Sequence, residues 1–236
     1  YPMDLAVQGD CGDVIDLLLD RGYDEASTRA RRAAVAAIQE ATGYWTVAQH
    51  TAAPGSVSLS DVIRTFERFL QPQDLLTLDA GSNRIWATSQ LKIRTPGQLI
   101  VPGGIGGMGW GPPAAAAAKL VHPGKRVTCL VGDGGFMMTM PVLTTCVQND
   151  LPIVVVVANN SGLGMVRDNL KASPIAVDYA DIDFARIAEG LGCKGLRVDA
   201  PGQLDDALAE AHRSGVPCVI DVTVDPESSH VQVSHY

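Results

Sequence analysis

Short apolar runs alternate with amphipathic stretches along most of this chain. The apolar runs predict six strands, at residues 75–78, 99–101, 127–132, 153–158, 195–198 and 219–224. Apolar side chains between them recur at helical spacing, and a proline pair followed by five alanines opens the helix predicted at 112–121. Strands that alternate with helices pair in parallel, because each crossover returns the chain to the same end of the sheet. We therefore expect an α/β fold with a doubly wound parallel six-stranded sheet and helices on both faces.

The first 40 residues predict a separate piece of structure. A short strand at 5–7 is followed by helices at 12–21 and 25–40, and Asp24 is placed to cap the second helix. A strand and two helices bury too little surface to fold alone. We expect this strand-helix-helix piece to be the end of another domain, and the alternative is an N-terminal extension of a single domain.

The next stretch predicts a linker and the start of the main domain. Residues 41–57 lack clear periodicity and contain a Pro-Gly pair, which is typical of a linker. Ser58 and Asp61 then form a helix-capping pattern. We expect the main domain to span residues 58–228, and we expect the polar residues 229–236 to form a C-terminal tail.

Polar turns end two of the predicted strands in the middle of the chain. The strand at 127–132 runs into GDGG at 132–135, and the strand at 153–158 runs into NN at 159–160. Parallel strands bring such turns to one edge of the sheet, where open α/β sheets bind ligands. A carboxylate and two amides are hard oxygen donors that suit Mg²⁺ or Ca²⁺. Glycine amides at the start of a helix suit a phosphate.

The spacing of these two turns resembles a known motif. Asn160 follows Asp133 by 27 positions, and GDG followed by NN at about this distance is the motif of the thiamine-diphosphate enzymes. The segments NNSGLGMV and GGIGGMGWGPPAA resemble the acetolactate synthase branch of that family. The resemblance covers about residues 58–227, the diphosphate-binding domain. It also implies that residues 1–40 are the end of a central domain.

The resemblance implies thiamine diphosphate and Mg²⁺ as cofactors. It implies that the metal ligands are Asp133, Asn160 and the backbone carbonyl of Gly162. The cofactor-binding residues that it implies are Ser82, Asn83, Gly106, Met108, Gly134, Gly135, Asn160, Gly164 and Met165.

Individual roles also follow from the resemblance. The Gly106 carbonyl is expected to accept the aminopyrimidine amine, and Met108 is expected to act as an apolar wedge that bends the cofactor. Plain core packing is the alternative for Met108. Ser82 and Asn83 stand where acetolactate synthases carry a Gln-His pair on the diphosphate, and helix capping is the alternative for both.

The activating carboxylate of the thiamine enzymes is not recognisable in this chain. In that family a glutamate of a separate pyrimidine-binding domain acts on the pyrimidine ring across a subunit interface. The glutamates of this chain lie on amphipathic helices or in a terminal loop: Glu25, Glu40, Glu67, Glu189, Glu210 and Glu227. The resemblance therefore implies the cofactor-binding half of a 2-oxo acid decarboxylase or carboligase, a C–C lyase or transferase without a catalytic residue of its own. Its expected partners are a small 2-oxo acid and a pyrimidine-binding domain or subunit, in a homo- or hetero-oligomer.

Two positions depart from the acetolactate synthase pattern. Val142 stands where that branch has a glutamate, and residues 167–169 stand where it has an aromatic residue soon after GMV. The wall facing the substrate is therefore altered. Arg167 is a candidate for binding the carboxylate of an acid, and a solvated arginine at a helix start is the alternative.

Two other functions remain open from the sequence. Residues 104–109 satisfy GxGxxG after a strand, and Asp133 ends the next strand, which is the context of a nicotinamide-dependent oxidoreductase. Against this, a complete βα unit precedes that strand, and the NN turn has no role in a dinucleotide site. The other alternative is a subunit that holds the cofactor without doing chemistry alone.

Charge and cysteine content narrow the range of partners and compartments. The net charge of −8 argues against nucleic acid and anionic membranes as main partners. No apolar run reaches the length of a membrane span. The five cysteines form no CxxC pair, which suits reduced, buried thiols in a cytoplasmic protein.

Overall fold

The structure of the chain divides into two compact units, residues 1–46 and residues 47–236. The computed structural model describes residues 4–42, 50–170 and 175–233. Residues 43–49 of the predicted linker and residues 234–236 of the predicted tail lie outside the described residues. Within the described residues, no helix combines the length and the apolar character needed to span a bilayer.

The N-terminal unit contains two helices, α1 at Cys11–Asp20 and α2 at Glu25–Thr42. Asp10 caps α1 and Asp24 caps α2, each by accepting hydrogen bonds from backbone N–H groups near the helix start. No residue of either helix is buried. The strand predicted at 5–7 is wrong, because the described residues of this unit offer no second strand to satisfy its backbone groups. That this unit ends a central domain stays a prediction.

Six parallel strands form the sheet of the second unit. They are β1 at Leu75–Leu78, β2 at Leu99–Ile100, β3 at Val127–Gly132, β4 at Val154–Asn159, β5 at Lys194–Val198 and β6 at Cys218–Thr223. Their order in the sheet is β2-β1-β3-β4-β6-β5, and every neighbouring pair is parallel. The chain therefore grows to one side of β1 and then to the other, so the winding reverses between β1 and β3. The predicted α/β fold with a doubly wound sheet is confirmed.

Helices cover both faces of this sheet. They are α3 at Leu59–Phe69, α4 at Ser82–Gln90, α5 at Gly111–Val121, α6 at Asp133–Thr139, α7 at Val142–Gln148, α8 at Gly164–Asn169, α9 at Phe184–Gly190 and α10 at Gln203–Ser214. One core packs α3, α4 and α10 against the sheet, and the other packs α5, α6, α7 and α9. The alternating pattern predicts one helix between β3 and β4, and the structure has two there, because Pro141 has no backbone N–H with which to continue α6.

The run of four valines that begins β4 explains its central position. Val154 and Val156 belong to one core, and Val155 and Val157 belong to the other, because successive side chains of a strand point to opposite faces. A strand that is buried on both faces needs apolar side chains at every position. The buried strand β4 therefore holds the polar turn that follows it at the carboxyl edge of the sheet.

Candidate functional site

A cavity of about 280 Å³ opens at the carboxyl ends of β1, β3 and β4. It lies where the winding of the sheet reverses, which is the position at which open α/β sheets bind ligands. Its walls include all the residues that the sequence predicts for the cofactor and the metal: Ser82, Asn83, Gly106, Met108, Asp133, Gly134, Gly135, Asn160, Gly162, Gly164 and Met165. The structure therefore gathers the whole predicted set in one place, although the role of each residue stays a prediction.

Asp133 forms the buried acidic point of this cavity. Its side chain is almost fully buried, and its two oxygens accept hydrogen bonds from the Gly134 N–H at 2.7 Å and the Gly162 N–H at 2.9 Å. Burial raises the pKa of the Asp133 carboxyl, while backbone N–H groups and the nearby Arg167 guanidinium oppose that rise. A carboxylate held in this way keeps unshared electron pairs for a further positive group.

Asn160 and Gly162 line the same cavity and carry the neutral oxygens that the sequence predicts as metal ligands. A Cβ atom built on Gly164 would lie 2.6 Å from the Asn160 amide nitrogen, so that side chain fits only over a glycine. The Gly162 carbonyl accepts the Gly164 N–H at 3.0 Å and retains a second lone pair. No group of three His, Cys, Asp or Glu side chains suited to a metal occurs among the described residues. One carboxylate with amide and carbonyl oxygens fits a hard cation such as Mg²⁺, which keeps several waters.

The glycines of the two turns are required by close approaches. A Cβ atom on Gly162 would lie 2.2 Å from the Arg167 guanidinium and 2.6 Å from the Val177 carbonyl oxygen. A Cβ atom on Gly134 would lie 2.7 Å from the side chain of Leu163. A side chain at Gly162 would therefore collide with the backbone of the neighbouring segment, and one at Gly134 would force the Leu163 side chain, which lines the cavity, to move.

Ser82 and Asn83 begin α4 directly after β1 and differ in their bonding. The Ser82 hydroxyl is buried at the cavity wall without a hydrogen-bond partner in the described structure. The Asn83 amide nitrogen donates to the carbonyls of Asp79 and Leu130, both at 3.4 Å, and so joins the ends of β1 and β3. The orphaned hydroxyl fits a phosphate contact, whereas Asn83 uses its donors within the protein.

Met108 lies in the glycine-rich loop between β2 and α5. Its side chain is 37% exposed and lines the cavity, so it is not a core residue. Gly106 and Gly109 adopt φ values of 71° and 82°, which favour glycine. The loop therefore presents Met108 at the cavity mouth, where the sequence predicts an apolar wedge.

Asp79 is a buried residue behind this site that no sequence motif marks. It directly follows β1, it is fully buried, and both its carboxylate oxygens accept the Gly109 N–H, at 3.0 and 2.9 Å. Gly109 is 30 positions away, so no local pattern could have revealed this contact.

Tyr179 and Arg167 complete the surroundings of the Asp133 turn. The Tyr179 hydroxyl lies 3.0 Å from the position of a Cβ atom on Gly134, and it stands in a segment without any sequence motif. The Arg167 guanidinium is paired with Asp178, with Nε 2.8 Å from Oδ1. Arg167 is therefore ion-paired rather than freely solvated, and its role in binding the carboxylate of an acid stays a prediction.

Known proteins resemble this chain in sequence and in fold. The family described as "Thiamine pyrophosphate enzyme, C-terminal TPP binding domain" matches residues 79–222. A probable acetolactate synthase large subunit of Methanococcus aeolicus is 36% identical over 160 residues, which cover 66% of this chain and 27% of that protein. An acetolactate synthase of Bacillus subtilis is 35% identical over 168 residues, which cover 70% of this chain and 30% of that protein.

The fold has a solved counterpart. The thiamine diphosphate-dependent 4-hydroxybenzoylformate decarboxylase of Rhodococcus jostii RHA1 superposes with a TM-score of 0.70 at 25% sequence identity. The superposition covers 77% of this chain and 35% of that chain. This chain thus spans about a third or less of the length of each of these proteins.

Proposed function

This chain belongs to the family of thiamine pyrophosphate (thiamine diphosphate) enzymes, and it carries their C-terminal cofactor-binding domain; we propose that it is the cofactor-binding half of a 2-oxo acid decarboxylase or carboligase similar to acetolactate synthase. The relatives that share its sequence are named acetolactate synthases, and its structural neighbour is named a decarboxylase. The activity of the whole protein is the proposal, because the chain spans only part of their length.

The convergence of the Asp133 turn and the Asn160 turn on one cavity carries this proposal. In it, Mg²⁺ is held by the Asp133 carboxylate, the Asn160 amide oxygen and the Gly162 carbonyl, and the cation binds the diphosphate. The orphaned Ser82 hydroxyl supplies a hydrogen bond to the phosphate oxygens. The lack of side chains at Gly134 and Gly164 lets the phosphate groups approach the backbone.

The opposite end of the cofactor is assigned to the loop between β2 and α5. The Gly106 carbonyl accepts the amine of the pyrimidine ring, and Met108 supports the bend of the cofactor. When bound, thiamine diphosphate supplies a thiazolium carbon that adds to a 2-oxo acid carbonyl and an electron sink for the pair released with CO₂. The residues of this chain anchor and orient the cofactor rather than move protons.

The nicotinamide alternative has little support from the topology. β2, which precedes GxGxxG, is a two-residue strand at the edge of the sheet. Asp133 ends β3, and β1 lies between β2 and β3. In a dinucleotide site the glycine motif follows a central strand, and the acidic residue ends a strand next to it. Neither condition holds for this chain.

The site also has the features of half of an active site. No glutamate lines the cavity in the part of the chain that the structure describes. Large apolar side chains are exposed on the segments that form the cavity: Ile105, next to Gly106, is fully exposed, and Met138 on α6 is 61% exposed. Apolar surface of this kind marks a region where another protein surface closes. We assign it to the pyrimidine-binding domain or subunit, which also brings the activating glutamate.

The test of this proposal is decarboxylation of a 2-oxo acid with and without that partner. The chain alone, supplied with thiamine diphosphate and Mg²⁺, should release no CO₂ from pyruvate above the uncatalysed rate. Addition of its pyrimidine-binding partner should restore turnover, and a Glu→Gln change in the partner's pyrimidine-facing glutamate should remove it. Turnover by residues 1–236 alone at ordinary enzyme rates would refute the half-site.

A further inference from the structure

The carboxylate of Asp79 is a buried charge whose partners in the described structure are backbone N–H groups. Both oxygens accept from Gly109, and Oδ1 also accepts the Ala80 N–H at 2.6 Å. Burial raises the pKa of Asp79, and the N–H groups of Ala80, Gly109, Gly111 and Trp110 oppose that rise. Hydrogen bonds to a charged acceptor are the strong ones in proteins. A buried carboxylate is expensive unless such bonds satisfy it, so the charged form of Asp79 depends on the loop that supplies the Gly109 N–H.

A side chain of β1 also holds the glycine-rich loop between β2 and α5. The fully buried hydroxyl of Thr77 donates to the Gly111 carbonyl at 3.1 Å. Thr77 and Asp79 are two positions apart, so both side chains leave the same face of the strand. Gly111 is pressed against this face, because a Cβ atom there would lie 3.0 Å from the Asp79 Cβ. Thr77 of β1 and Asp79 just after it therefore hold the loop by hydrogen bonds at Gly111 and at Gly109.

The loop is confined on its other side by α6. A Cβ atom on Gly109 would lie 2.9 Å from the Thr139 methyl group and 3.2 Å from the Met138 Cβ. A Cβ atom on Gly135, in the turn after β3, would lie 2.7 Å from an Asp79 carboxylate oxygen. Asp79 thus stands between the loop that ends at Gly111 and the turn that begins α6.

We propose that Asp79 is a positioning residue that sets the place of Met108, whose backbone is joined to the Gly109 amide. Its carboxylate holds residues 106–111 so that Gly106 and Met108 meet the aminopyrimidine end of the cofactor. The diphosphate end depends instead on Asp133 and the turn after β4. This inference rests on the proposed function and deepens it, because it assigns a residue to one end of the cofactor only.

The variant Asp79→Asn keeps the side-chain volume and removes the charge. The amide of the variant keeps one acceptor oxygen, and its N–H donor faces the Gly109 N–H. The hydrogen bonding that holds the loop in place is therefore weakened. The 236-residue chain is titrated by calorimetry with thiamine diphosphate and, separately, with inorganic pyrophosphate, each with Mg²⁺. The affinity for thiamine diphosphate should fall by about tenfold or more, which corresponds to about 1.4 kcal/mol. The affinity for pyrophosphate should change by less than about threefold.

A matched control is available at the opposite end of the same strand. Asp74 is also buried, and it is paired with Arg126 just before β1. Asp74→Asn should leave both affinities unchanged, even where it lowers stability. If circular dichroism shows that Asp79→Asn does not fold, Thr77→Val takes its place in the test. That variant removes only the hydrogen bond from Thr77 to the Gly111 carbonyl, and it should selectively lower the affinity for thiamine diphosphate.

The outcomes separate this inference from the proposed function. In one outcome the wild-type chain binds both ligands, and Asp79→Asn or Thr77→Val lowers both affinities equally or lowers neither. That result overturns the positioning role alone. A wild-type chain that binds neither ligand overturns the proposed function and this inference with it. Selective loss of thiamine diphosphate binding supports both.

Discussion

At the scale of single residues, exposure distinguishes the two roles that the sequence leaves open for Met108. A methionine that is 37% exposed at a cavity mouth contributes little to core packing. Met108→Ala should therefore change the free energy of unfolding by less than about 1 kcal/mol, compared with about 2–5 kcal/mol for a core methionine. In the complete enzyme it should lower turnover more than cofactor affinity, because a wedge shapes the bound cofactor without anchoring it.

The control for Met108 is an exposed apolar residue away from the cavity. Leu120 lies on α5 at 67% exposure and does not line the cavity, so Leu120→Ala should leave turnover per bound cofactor unchanged. Denaturant unfolding gives the stability change, and steady-state kinetics give the turnover. A Met108→Ala protein with full turnover and a loss of several kcal/mol in stability would rule out the wedge.

Some residues of the cavity can be identified from local sequence patterns alone. Asp133 and Asn160 stand out because each ends an apolar strand, and parallel pairing then brings them to one edge. The hydrogen bond between Asp79 and the Gly109 N–H depends on how distant loops pack, and so does the position of the Tyr179 hydroxyl close to Gly134. No local spacing encodes those contacts, so only the folded chain reveals them.

At the scale of the elements, the buried strands are predictable and the isolated strand is not. β1 is predicted with its observed bounds, because its apolar residues stand between polar turns. A strand at residues 5–7 would need a pairing partner that local sequence cannot supply. The break between α6 and α7 was not predicted, and it follows from Pro141, whose missing N–H outweighs the apolar periodicity around it.

The packing of α10 on the sheet predicts a pH dependence of stability. His212 on this helix stacks on Phe69, with ring centroids 5.7 Å apart, and its Nε2 lies 3.0 Å from the Thr128 hydroxyl of β3. Burial, reinforced by Arg126, lowers the pKa of His212 from 6.5 to about 4. The folded state therefore favours the neutral ring. The resulting stability is fully present above pH 6.5 and is lost as the pH falls toward 4.

The variant His212→Gln isolates this contribution. It keeps a polar group within reach of Thr128 and removes the titrating ring. Between pH 6.5 and 4, the wild-type protein should lose about 3 kcal/mol of unfolding free energy relative to the variant. Urea unfolding at a series of pH values measures the difference between the two proteins. A difference that stays constant over this range would contradict the buried neutral histidine.

At the scale of the whole molecule, the chain combines a cavity lined by every predicted cofactor-binding residue with exposed apolar side chains on the segments that form it. The cavity gathers the turns after β1, β3 and β4 at the reversal of the sheet. The exposed side chains of Ile105 and Met138 lie in or beside the segments that form it. This combination accords with a domain that matches only part of the longer thiamine enzymes. Its chemistry is proposed to need a second domain that covers the cofactor.

The most direct test of this account is a calorimetric titration of the chain with thiamine diphosphate, in the presence of Mg²⁺ and in the presence of a chelator. The account predicts saturable binding of one cofactor per chain with Mg²⁺ and its loss with the chelator. Asp133→Ala should abolish the Mg²⁺-dependent binding, because a hard cation depends on its charged oxygen ligand. Asp206→Ala, at an exposed site on α10, should bind as the wild type does. Undiminished Mg²⁺-dependent binding by Asp133→Ala would contradict the site.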